Sequence, residues 1–157
     1  MIKLNIRERR EKILMKSMKI IYSNFDETTG ISTVTILTKI GEFTGTSKLH
    51  NEDKNISSSF AGCRYAEIRA IIKYHKKKLE NINNQIKGLD DCRKIIENLK
   101  DYNEYSVENR RIRRRLYELK SEKQKIKMCI DNLRNKLIDL MNQREKVLAT
   151  LNKKRGE

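Results

Sequence analysis

The chain reads as an α+β protein: a small antiparallel three-stranded β-meander followed by a long antiparallel coiled-coil helical hairpin. Three observations predict this. Tyr65, Ile68, Ile72, His75, Leu79, Ile82, Ile86, Leu89, Arg93 and Ile96 recur in alternating steps of three and four. Ile112, Leu116, Leu119, Lys123, Ile126, Ile130, Leu133, Leu137, Leu140, Arg144, Val147 and Leu151 repeat the pattern. Such spacing keeps one stripe of each helix turned toward a partner. The polar stretch 101–106 between them is short, as it is between antiparallel neighbours.

The meander is read from turn residues and β-branched runs. Ile2, Leu4 and Ile6 alternate like a strand, whereas RERREKILMK suits a charged helix, so residues 1–16 fit either. Met18, Ile20 and Tyr22 alternate as a first strand, and NFDETTG supplies a turn ending in Gly30. The run ISTVTILT is dense in β-branched residues, which favour a pleated, half-buried surface. Gly41 marks the next turn, and FTGTSKLH puts Phe43 and Leu49 on one face with Glu42, Thr44, Thr46 and Lys48 on the other. Three strands alone are too few to stand in water, so the meander should lie against the base of the hairpin. The boundary falls at 56/57: residues 1–56 form the β module and 57–157 the hairpin.

Ser57, Ser58 or Ser59 can cap the first long helix. Its opening, FAGCRYAEIRA, is rich in small residues (Ala61, Gly62, Cys63, Ala66, Ala70), which let a sheet or helix approach closely. Gly88 interrupts the later part, but the apolar phase runs through it from Ile86 to Leu89, so the helix is expected to continue. Ser106 or Asp101 begins the second helix, which runs to about residue 153. Folding about the connector pairs residues whose numbers sum to about 205, and every apolar pair is then of the antiparallel kind. The hairpin would be ~60 Å long. Residues 144–151 overshoot the first helix and must find the β module or a second copy.

Composition agrees. Charged residues make up 36% and apolar ones 37% of the 157, against roughly 25% and 45–50% in average domains. A two-helix seam buries one narrow stripe per helix, so it tolerates this balance. There is no proline to break a long helix. The net charge is +15. Residues 1–56 hold 10 basic and 7 acidic side chains, and residues 57–157 hold 26 and 14. The helical part therefore carries a field that attracts nucleic acid, anionic membrane or acidic protein surfaces.

No catalytic constellation, metal-ligand spacing or phosphate loop stands out, and the expectation is a protein without enzymatic activity, cofactor, metal or small-molecule substrate. Cys63, Cys92 and Cys129 are scattered thiols with no C-x-x-C pair, which suits a reduced compartment. With no secretion signal and no run of about 20 apolar residues, no membrane partner and a cytoplasmic location are expected. Two histidines, His50 and His75, offer too few ligands for zinc.

Three features are candidates for function. The cluster NRRIRRRL holds Arg110, Arg111, Arg113, Arg114 and Arg115 around Ile112 and Leu116. With Lys76, Lys77 and Lys78 it could grip a DNA or RNA backbone, since guanidinium donates bidentate hydrogen bonds to phosphate. It equally suits a solvated face paired with Glu104, Glu108 and Glu118. Polar residues at seam positions (His75, Arg93, Lys123, Arg144) either fix register or snorkel outward. Arg64, Glu67 and Arg69 at the first helix's start either support the sheet junction or offer a polar surface to a partner. Val147 and Leu151 in the overshooting tail are candidates for self-association.

The stretch FDETTGISTVTILTKIGEFTGTSKLHNEDKNISSSFAGCRYAEIRAIIKYHKKKL, about a third of the chain, carries a pattern of Thr29-Gly30, GEFTG at 41–45, LHNED at 49–53 and AEIRA at 66–70. It resembles small phage and prophage proteins of low-GC Gram-positive bacteria, a family with no assigned activity. The resemblance implies a phage-type accessory protein in the host cytoplasm. The sequence then leaves a coiled-coil interaction or assembly module, a nucleic-acid-binding accessory protein, and a small inhibitor of a host nucleic-acid enzyme.

Overall fold

The computed structural model describes residues 18–48, 59–99 and 106–155. The expectations for residues 1–16, for Leu49, for capping by Ser57 or Ser58, for the Ser59 side chain and for most of the connector lie outside what is described. Three strands, β1 (Lys19–Asp26), β2 (Ile31–Thr38) and β3 (Gly41–Lys48), precede two helices, α1 (Ser59–Glu97) and α2 (Val107–Arg155). The sheet is an antiparallel meander in the order β1-β2-β3. The α+β layout with its helical hairpin is as the apolar spacing predicts.

The chain divides into two compact units. One comprises residues 1–74 and 140–157, the other 75–139.

In the first unit, the turns follow from local chemistry. The Asp26 carboxylate accepts hydrogen bonds from the Thr28 and Thr29 amides at 2.9 and 3.4 Å and from Thr29 Oγ1 at 2.7 Å. These bonds, led by the Thr29 hydroxyl, hold its pKa below the usual range. Gly30 closes the turn at φ 67°, a conformation that costs glycine little. The second turn ends at Gly41, φ 130°, whose carbonyl accepts from Thr38 Oγ1 at 2.8 Å. Strand β2 pairs in unbroken register with β3, from Ile31 opposite Lys48 to Thr38 opposite Gly41. The β1–β2 register shifts at a bulge between Ile20 and Tyr22, which the alternation of Met18, Ile20 and Tyr22 does not foretell.

Among the described strands, β2 alone alternates into the core along its length. Ser32, Val34, Ile36 and Thr38 alternate inward along β2 and are buried. Val34 and Ile36 pack with Ala66 and Ala70 of α1, flanked by Phe43, Cys63, Ile71 and Tyr74. Phe43 meets Tyr74 edge-on, with ring centroids 5.7 Å apart. The small residues of the α1 opening do what their size suggests. A methyl added at Gly62 would collide with Ser32 Oγ. One added at Gly45 on β3 would collide with the carbonyl oxygen of Ala66 and lie 2.5 Å from Ala70 N. The tail of α2 belongs to this unit, and Leu140, Arg144, Leu148 and Leu151 in it are half-buried.

The second unit is the hairpin proper. On α1, His75 and Ile82 are buried and Leu79, Ile86, Leu89, Arg93 and Ile96 half-buried. On α2, Leu116, Leu119, Ile126 and Ile130 are buried and Ile112, Lys123, Leu133 and Leu137 half-buried. Lys78 and Glu122 bridge the two helices at 3.1 Å, with numbers summing to 200 against the expected 205 or so. Helix α1 runs through Gly88 without interruption. Ser106 caps α2, its Oγ accepting from the Asn109 amide at 3.2 Å.

Candidate functional site

The residues singled out in the sequence fall into three places. Of those at the α1 opening, Arg69 reaches the sheet. Arg64 and Glu67 pair at 2.7 Å one turn apart. Arg69 Nη1 donates to the carbonyl of Thr46 at 2.7 Å, and Lys73 Nζ to that of Thr44 at 2.7 Å. Strand β3 is an edge strand, and two of its carbonyls are occupied by cations of α1. Such occupation discourages pairing with a foreign strand. No feature of the sequence marks Lys73 for this contact.

The arginine cluster lies at the start of α2. Arg110, Arg111, Arg113, Arg114 and Arg115 are all exposed, while Asn109 and Leu116 on either side of them are buried. Glu118 balances two of the five, meeting Arg114 at 3.2 Å and Arg115 at 3.3 Å. The lysine triplet does not join them. Lys77 pairs with Glu80 at 2.8 Å, and Lys78 faces Glu122. Glu122 is seven residues beyond Arg115 on α2, a rise of ~10 Å. Lys77 and Lys78 are thus engaged by acids, while Lys76 is exposed.

Seam polar residues divide by length of side chain. Arg93, half-buried, reaches Asp90 at 3.8 Å and Glu97 at 3.5 Å on its own helix. His75 is too short to reach out and stays buried at 6% exposure. Burial, helped by the charge of Lys78, lowers its pKa to about 4.

The tail pattern needs one correction. The heptad phase assigns Val147 to the seam, but it is 47% exposed and Leu148 is half-buried instead. The spacing from Leu137 to Leu148 is thus eleven residues, 3.67 per turn, a departure from the 3.5 of a strict heptad. Val147 is left in water, and Leu151 stays half-buried.

Apolar side chains also stand exposed at the two helix ends flanking the connector: Ile95 at 65%, Leu99 at 58% and Val107 at 49%. Among the described residues, no three His, Cys, Asp or Glu side chains gather as a metal site. No described helix is long and apolar enough to cross a membrane. No protein-family model, curated protein or solved structure matches the chain.

Proposed function

We propose that the chain is a non-enzymatic, phage-type accessory protein that acts as a coiled-coil interaction and assembly module. The observation that carries this reading is the apolar surface left in water away from the seam: Ile95, Leu99 and Val107 at the connector end, and Val147 on the tail. Exposed apolar groups set among charged ones mark surfaces that bind other macromolecules. The phage context rests on the resemblance of residues 25–79, and a cytoplasmic place of action follows from it.

Sedimentation over a range of concentrations tests the self-assembling form. Association that weakens when Ile95, Leu99 and Val107 become Ser, or when Val147 becomes Ser, supports it. A strict monomer, indifferent to both variants, overturns it.

A second reading is nucleic-acid binding through the arginine cluster, favoured by the exposure of all five residues. Loss of salt-sensitive DNA binding on changing all five to Ala would support it, and unchanged binding would exclude it.

A further inference from the structure

The two flanks of the hairpin seam differ in charge. Lys78 and Glu122 both sit one residue before a seam position, Leu79 and Lys123, and their ion pair places those two flanks together. The residues just after the seam positions therefore share the opposite flank. On α2 that flank carries Arg113, Lys120, Lys127 and Arg134, at strict seven-residue intervals and all exposed. On α1 it carries Lys76 and Asn83, both exposed, and then Asp90, half-buried and paired with Arg93 at 3.8 Å. By the Lys78–Glu122 level, Lys76 falls between Lys120 and Lys127, within about one turn of each.

Around Lys76, Lys120 and Lys127 this flank carries no acid, the nearest on α1 being Asp90, two heptads beyond Lys76. Residues 75–89 and 113–138 contain 13 basic side chains and 4 acidic ones. Each acid is already engaged: Glu80 with Lys77, Glu118 with Arg114 and Arg115, Glu122 with Lys78, and Asp131 with Arg134. Lys76, Lys120 and Lys127 make no ion pair among the described residues. Like charges facing each other across a helix pair weaken it. The other flank differs in that Lys78 faces an acid, Glu122, across the helices.

One aromatic group stands on the same face. Tyr117 lies one turn from both Arg113 and Lys120, is 78% exposed, and makes no ring contact among the described residues. Cations interleaved with an open aromatic ring match a strand whose phosphates are regularly charged and whose bases are unstacked. An acidic protein surface would call for apolar anchors that bury on contact, and beside Lys120 and Lys127 this face of α2 offers Gln124, Asp131 and the aromatic Tyr117, with Ile138 exposed only beyond Arg134. We propose that Lys76, Lys120, Lys127, Arg113 and Arg134, with Tyr117 as stacking platform, bind single-stranded nucleic acid. The site uses residues other than the apolar surface assigned to assembly, so either can fail without the other.

Fluorescence anisotropy with a labelled oligo-thymidine of about 20 nucleotides, titrated at several salt concentrations, reads this directly. The wild-type chain binds with strong salt dependence. Changing Lys120 and Lys127 to Gln weakens binding about tenfold and lowers the log–log salt slope by about 1.4, the loss of two phosphate contacts at roughly 0.7 each. Lys120→Arg with Lys127→Arg retains binding, and Tyr117→Ala weakens it at unchanged slope. No binding at about 50 mM salt, or a Gln variant that binds like wild type, overturns the proposal. So does a blunt duplex bound as tightly as the single strand, or full competition by polyglutamate at equal charge.

Discussion

Gly45 of β3 lies so close to α1 that its missing side chain is what lets the carbonyl of Ala66 sit where it does. The contact seats the sheet on the helix backbone. Arg69 and Lys73, one turn apart on α1, then reach the carbonyls of the neighbouring Thr46 and Thr44.

Gly45→Ala therefore destabilises the fold by about 3 kcal/mol, the upper range for overpacking, because the obstacles are backbone atoms that cannot rotate away. Gly88→Ala does the reverse. That position is exposed, helical and open on all sides, so it stabilises by about 0.5–1 kcal/mol. Urea unfolding of the two variants beside wild type checks both signs.

Removing the Arg69 donor by Arg69→Ala strips a charge-assisted bond from Thr46. The site is exposed to water, so the loss is about 1 kcal/mol. Hydrogen exchange should report faster exchange in β3 than in the middle of α2.

His75 makes stability depend on pH. Its pKa of about 4 in the folded chain lies below the ordinary 6.5, chiefly through burial. A lowered histidine is neutral when folded, and the unfolded chain takes up the extra proton. The His75 contribution is thus complete above pH 6.5, declines as pH falls toward 4, and levels off below. The total is at most about 3 kcal/mol, at 1.36 kcal/mol per pH unit. The difference in unfolding free energy between wild type and His75→Leu, followed from pH 7.5 to 4, isolates this term from the carboxylates. A difference that does not vary with pH contradicts the assignment.

Glu122→Lys places two cations together and costs about 0.5 kcal/mol, since both partners are well exposed. Adding Lys78→Glu restores most of it, and a thermal melt of the four chains of this cycle measures the coupling.

Much of this architecture was legible because period carries so much information. Ile112 to Leu140 in steps of three and four specify a seam, and ISTVTILT between Gly30 and Gly41 specifies a strand with its turns. What escaped depends on three-dimensional juxtaposition. Gly45 looks like any strand glycine until Ala66 is opposite it. The bulge between Ile20 and Tyr22 leaves no mark in an alternating run. Val147 and Leu148 are adjacent apolar residues, and a fixed heptad chooses the first, although the helix turns the second inward. The candidate site was half legible. Five clustered arginines are conspicuous, whereas Lys120 and Lys127, seven apart, gain meaning only once the Lys78–Glu122 pair shows which flank is which.

The central claim is that the chain doubles back between residues 97 and 107. Spin labels at Lys78→Cys and Glu122→Cys, in a background where Cys63, Cys92 and Cys129 are Ser and diluted with unlabelled protein, test it most directly. The hairpin predicts an intramolecular separation below about 25 Å, two helices packed 8–10 Å apart plus the label arms. A chain continuing straight would hold the labels ~66 Å apart, 44 residues at 1.5 Å each, and that distance would contradict the account.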